Sequence, residues 1–130
     1  MEFFINGVGL ISPQGTSFDG NFLDKILEPN REYLQSVEPD YKKYLNPNIY
    51  RRLSRILKTN LVSAKLCLQD GGIEKPDAII VGTGLGCIGD TENFLFDMID
   101  KNEQLLSPTQ FMQSTHNSIS SQIALILNCN

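Results

Sequence analysis

The longest helical pattern in the chain runs from Arg51 to Gly72, and it limits what the remaining residues can build. Leu53, Leu57, Leu61, Ala64 and Leu68 form one stripe with Ile56 beside it. Arg51, Arg55, Lys58 and Lys65 lie toward another side, and Gly71-Gly72 ends the pattern. A helix of this kind must cover an apolar surface, and a chain of 130 residues has room for one such core.

Two apolar runs offer that surface. Residues 3–11, Phe3-Phe4-Ile5-Asn6-Gly7-Val8-Gly9-Leu10-Ile11, are β-prone and closed by Ser12-Pro13. Gly7 and Gly9 would weaken an ordinary strand, so they point to close approach by another backbone. Ala78-Ile79-Ile80-Val81 reads as a strand covered on both faces. Helical spacing also appears over 17–27, over 90–99 through Phe94, Leu95, Met98 and Ile99, and over 117–127 through Ile119, Ile123 and Leu127. Residues 28–47, with Pro29, Pro39 and Pro47, read as a long surface connection. The expectation is a single α/β domain over 1–130 with mainly parallel or mixed pairing, flanked by helices. Residues 3–10 and 78–81 should share a sheet, with the helix of 50–69 packed on it through Leu53, Leu57, Leu61 and Leu68.

Charge and composition narrow the function classes. The net charge of −4 is dispersed, without a Lys/Arg stripe interleaved with aromatics, which argues against nucleic acid as a partner. No apolar run approaches the ~20 residues that span a bilayer, and the first residues lack the basic region of a signal peptide, so a cytoplasmic protein is expected. Cys67, Cys87 and Cys129 are odd in number and widely spaced, which fits free thiols better than a disulfide framework or a metal site.

Four local features carry possible chemistry. Gly84-Leu85-Gly86-Cys87-Ile88-Gly89 satisfies G-x-G-x-x-G, but no acidic strand end follows about twenty residues later to hold a ribose. A tight, glycine-permitted turn is the simpler reading. Cys87 sits where a helix begins and His116 could serve as its base, although Leu85 stands where a nucleophile elbow needs glycine, and packing under a turn is the alternative. His116 and Asn117 precede the last apolar stripe and can cap it. Arg51, Arg52, Arg55 and Lys58 could dock an acidic partner or simply form a solvated face.

Taken in order, several segments resemble the N-terminal part of the β-ketoacyl synthases, condensing enzymes of the thiolase fold. Residues 5–15 are similar to the family's opening strand and S-P-x-G turn, with Asn6 in place of threonine. Arg51-Arg52-Leu53-Ser54-Arg55 resembles the lead into its alanine-rich helix, and Asp70-Gly71-Gly72-Ile73 the close of that helix. Residues 80–86 look like its second core strand and G-T-G-x-G turn. The strongest likeness is over 107–124, where Ser107-Pro108 opens a loop followed by Asn117, small residues and a helix; Met112 and Ser121 depart from the usual proline and glycine.

The resemblance implies a thiolase-like N-terminal half and a role as scaffold and acyl-pocket part of a synthase of fatty acid, polyketide or pigment biosynthesis. It implies an acyl carrier protein as partner, with a homodimer or a ketosynthase partner subunit possible, and no cofactor or metal. In the family a cysteine takes the acyl group and two histidines assist decarboxylation of the malonyl unit. Those positions are expected beyond Asn130 in a longer polypeptide, so this stretch alone should be inactive. Phe111 and Met112 are the residues expected to touch the acyl chain. The rival class is a stand-alone, non-catalytic binding module with half a ketosynthase architecture.

Overall fold

The computed structural model describes residues 2–16, 26, 28 and 32–129. The helix expected over 17–27 lies almost wholly outside them. From the N-terminus the elements are β1 (Ile11–Ser12), β2 (Gly15–Thr16), a 3-10 turn (Tyr41–Lys43), and helices α1 (Pro47–Tyr50), α2 (Arg55–Asp70), α3 (Ile88–Asp100), α4 (Pro108–Ser114) and α5 (Ser118–Leu127). α2 packs on α5 and α3 on α4, and α4 adjoins α5.

The expected α/β architecture is not formed. The described residues make a mostly helical domain whose only sheet is the antiparallel hairpin of β1 and β2, paired Ile11 to Thr16 and Ser12 to Gly15. Neither 3–10 nor 78–81 joins a parallel or mixed sheet. A competing contact accounts for the first of these. An extended chain advances ~6.6 Å over two residues and a helix ~6 Å over four, so every second residue of 7–9 can meet every fourth residue of α2. Ser63 Oγ donates to the Gly9 carbonyl at 2.7 Å and Cys67 Sγ to the Gly7 carbonyl at 3.2 Å. Between them, the Val8 amide donates to Asp70 Oδ2 at 2.9 Å. Side chains of α2 thus take backbone groups that a neighbouring strand would have paired.

Only glycine permits this approach. A Cβ on Gly9 would stand 2.1 Å from the Ser63 carbonyl oxygen, and one on Gly7 would stand 2.5 Å from that of Cys67. The glycines therefore do mark close approach by another backbone, that of a helix. Residues 78–81 keep a strand-like alternation, with Ile79 and Val81 half-buried against the core and Ile80 95% exposed.

The core joins Leu57, Leu61, Val62 and Leu66 of α2 to Ile119 and Ile123 of α5. Leu53 is buried just ahead of α2, and Leu68 is only half-buried. Val62 and Leu66 widen the buried face beyond the expected stripe. The connection also departs from a simple surface loop, because Tyr41 and Leu45 enter the core. Tyr41 Oη lies 2.9 Å from Thr59 Oγ1, and Lys65 Nζ donates to the Tyr44 carbonyl at 2.8 Å. The Val37 amide donates to the Ser12 carbonyl at 2.9 Å, and Thr16 Oγ1 donates to the Val37 carbonyl at 3.2 Å.

Three substitutions test this packing. Gly9→Ala should destabilise by ~1–3 kcal/mol through overpacking. Gly82→Ala, whose Cβ would meet nothing within 4 Å, should change little. Leu61, 1% exposed, should cost ~2–5 kcal/mol on replacement by alanine. Denaturant midpoints measure all three, and a neutral Gly9→Ala would contradict the glycine contact.

Candidate functional site

α4 begins at Ser107, whose side chain accepts from the Gln110 amide at 3.4 Å, with Pro108 in the first turn where its missing N–H has no cost. Its C-terminal carbonyls are met by a cluster of hydroxyls. Thr115 Oγ1 donates to the Met112 carbonyl at 2.9 Å, Ser118 Oγ donates to the same carbonyl, and Ser114 Oγ donates to that of Phe111 at 2.8 Å. Thr91 Oγ1 reaches from α3 to the Ser114 carbonyl at 2.9 Å. These contacts hold α4 against α3 and α5 through the Ser/Thr-rich junction of 114–118.

Phe111 and Met112 diverge from this helix. The Phe111 ring tilts against Phe94 of α3 with centroids 5.6 Å apart. Met112, 59% exposed, lines an open cleft of about 860 Å³ between α4, α5 and the chain around α1. Ile49, Leu53, Leu125 and Ile126 supply the rest of its apolar wall, and Arg52, Thr109, Gln113 and Gln122 the polar part. Gln113 Nε2 donates to the Arg52 carbonyl at 2.6 Å and ties α4 to the segment leading into α2. An apolar wall with a few polar groups is the usual make-up of a small-molecule site, and this volume lies within the usual range.

Of these wall residues, Met112 alone is expected from the sequence to meet a ligand. One signal was present: Leu125 falls nearly opposite Ile123 on α5, so that helix carries apolar residues outside its core stripe. Nothing in the sequence alone brings Ile49 and Leu53 to the same place.

The remaining candidates are not assembled into a reactive site. Cys87 is 3% exposed at the start of α3, and burial, aided by the Asp90 carboxylate, pushes its thiol above the ordinary value. His116 is exposed, and no hydrogen bond joins it to Cys87. Asn117 occupies the position before α5 but makes no capping bond; its Oδ1 lies 2.7 Å from Thr115 Oγ1 and shares that hydroxyl's single hydrogen with the Met112 carbonyl. In the glycine-rich turn Gly86 has φ +58°, a conformation suited to glycine, and its amide donates to Thr83 Oγ1 at 3.0 Å.

The basic cluster is divided. Arg55 pairs with Glu38 and donates to Ser36 Oγ at 3.3 Å, Lys58 lies 4.2 Å over the Tyr50 ring, and Arg52 lines the cleft. On the far side, Lys101 Nζ donates to Asp97 Oδ2 at 2.6 Å, and this bond, with a further one from Gln110, holds the Asp97 carboxyl below its usual range. Among the described residues no group of three or more His, Cys, Asp or Glu could hold a metal, and no helix is long and apolar enough to cross a membrane. In comparisons with known proteins, the chain matches no protein-family model and no curated protein sequence.

The buried thiol has a pH consequence. The folded protein keeps the Cys87 proton to higher pH than the unfolded chain does, so stability is full below the ordinary thiol range and declines as pH rises through the raised value. Tyr41, raised first by burial, acts in the same sense further up the scale. Thermal melting should therefore fall above about pH 8.5, and Cys87→Ala should lessen the first part of that fall. Mapped thiol modification at neutral pH should spare Cys87 until the protein unfolds; rapid labelling there would contradict its burial.

Proposed function

We propose that this chain is the N-terminal scaffold and acyl-pocket part of a β-ketoacyl-[acyl-carrier-protein] synthase-like condensing enzyme of fatty acid, polyketide or pigment biosynthesis, working in the cytoplasm and inactive alone. The reading rests on the ordered motifs and on the cleft; the thiolase-type sheet that the resemblance implied is not among its supports. The observation that carries it is Met112, which the resemblance assigns to the acyl chain and which lines the apolar wall with Ile49, Leu53, Leu125 and Ile126. An acyl chain gains by leaving water for such a wall. Catalysis in the resembled family uses two histidines, and these 130 residues contain one. The acyl group would arrive on an acyl carrier protein.

Octanoyl-pantetheine, a neutral acyl thioester, should bind the folded chain in isothermal titration or by shifts in NMR spectra. Met112→Asp and Leu125→Asp, both at exposed positions, should each weaken it about tenfold or more by placing a charge against the chain. Incubation with an octanoyl-carrier thioester should leave the intact mass of the protein unchanged. Absence of binding would defeat the pocket, and stoichiometric acylation of Cys87 or Cys129 would defeat the non-catalytic assignment.

A further inference from the structure

The cleft beside Met112 has a charge asymmetry that an acyl thioester does not use. Among the described residues Arg52 is the only charged one lining it; Thr109, Gln113 and Gln122 are neutral, and none of the described carboxylates is in the wall. Among the described residues the ion pairs are Arg55 with Glu38 and Lys101 with Asp97, and none of the described carboxylates pairs with the Arg52 guanidinium. Gln113 Nε2 holds the Arg52 carbonyl at 2.6 Å and so anchors this residue's backbone at the cleft. One cation beside a wall of Ile49, Leu53, Met112, Leu125 and Ile126 is the complement of an amphiphile with a single apolar chain and a planar anionic head.

We infer that the cleft binds a free single-chain carboxylic acid as its carboxylate, with the Arg52 guanidinium taking the head and the Met112/Leu125 wall taking the chain. This rests on the acyl-cleft reading and adds the head group to it. Guanidinium matches carboxylate geometry through two parallel N–H donors, which an amide or ester head cannot exploit as an ion. The site would then retain the hydrolysed acid as well as the thioester-borne acyl chain, so the acid would compete with the acyl group for the same wall.

Octanoate and octanamide, which differ only in the head, measure this directly on the folded chain by titration calorimetry. Octanoate should bind about tenfold or more tightly than octanamide. Arg52→Gln should reduce octanoate to the octanamide level, whereas Arg52→Lys should keep part of the preference. Arg51→Gln, at an exposed neighbour that does not line the cleft, should keep all of it. Octanoate should also displace octanoyl-pantetheine. Equal binding of acid and amide, or an equal loss in Arg51→Gln and Arg52→Gln, would overturn the head-group assignment while leaving the acyl cleft standing. Failure of all three ligands to bind would overturn both. Melting curves of each variant matching those of the parent exclude loss of fold as the cause.

Discussion

The arrangement depends on one contact, the passage of the backbone around Gly7 and Gly9 across α2. The fit comes from the near equality of two residues of extended chain and one turn of helix, which lets Gly7 meet Cys67 and Gly9 meet Ser63 in register. Asp70 closes it by accepting from the Val8 amide. Because the approach is backbone to backbone, no side chain can relax to admit a Cβ, and glycine is required at both positions. Once α2 is held on this side, its wide apolar face is left for α5, where Leu57, Leu61, Val62 and Leu66 join Ile119 and Ile123.

The cleft follows from that packing. α5 sits on α2 through Ile119 and Ile123, which turns Leu125 and Ile126 toward the space beside α4. The hydroxyls of Ser114, Thr115 and Ser118 finish α4 without extending it, and Gln113 fastens it to Arg52. The apolar wall is therefore assembled from α1, the lead into α2, α4 and α5. Met112 belongs to it because α4 is short and fixed at both ends, whereas Phe111 is drawn to Phe94 of α3. Cys87 lies buried with its proton held by that burial, and no hydrogen bond joins it to His116.

Local pattern disclosed the long helix, the last helix, the meaning of Gly7 and Gly9, and the tight turn at Gly86. Tertiary choice decided the rest. Residues 3–10 have strand composition, but composition does not say whether a neighbouring strand or the side chains of Ser63, Cys67 and Asp70 will satisfy the backbone. Tyr41 and Leu45 were hidden because a single buried turn inside a Pro-rich connection has no period to detect. Arg52 read as part of a basic face, and only the position of Gln113 and α4 separates it from Arg55 and Lys58. Asn117 had the right residue type for a cap, but Thr115 occupies its side-chain oxygen.

The most direct measurement of the central claim is a set of nuclear Overhauser contacts on the isotopically labelled chain. The account requires proximity of the Gly9 α-protons to Ser63 and Cys67, and of the Val8 amide to Asp70, with no ladder of backbone contacts between 5–10 and 78–81. Observation of that set would establish the glycine-to-helix contact on which the core and the cleft rest. A regular series of backbone contacts pairing 5–10 with 78–81 would contradict it and restore a sheet as the organising element.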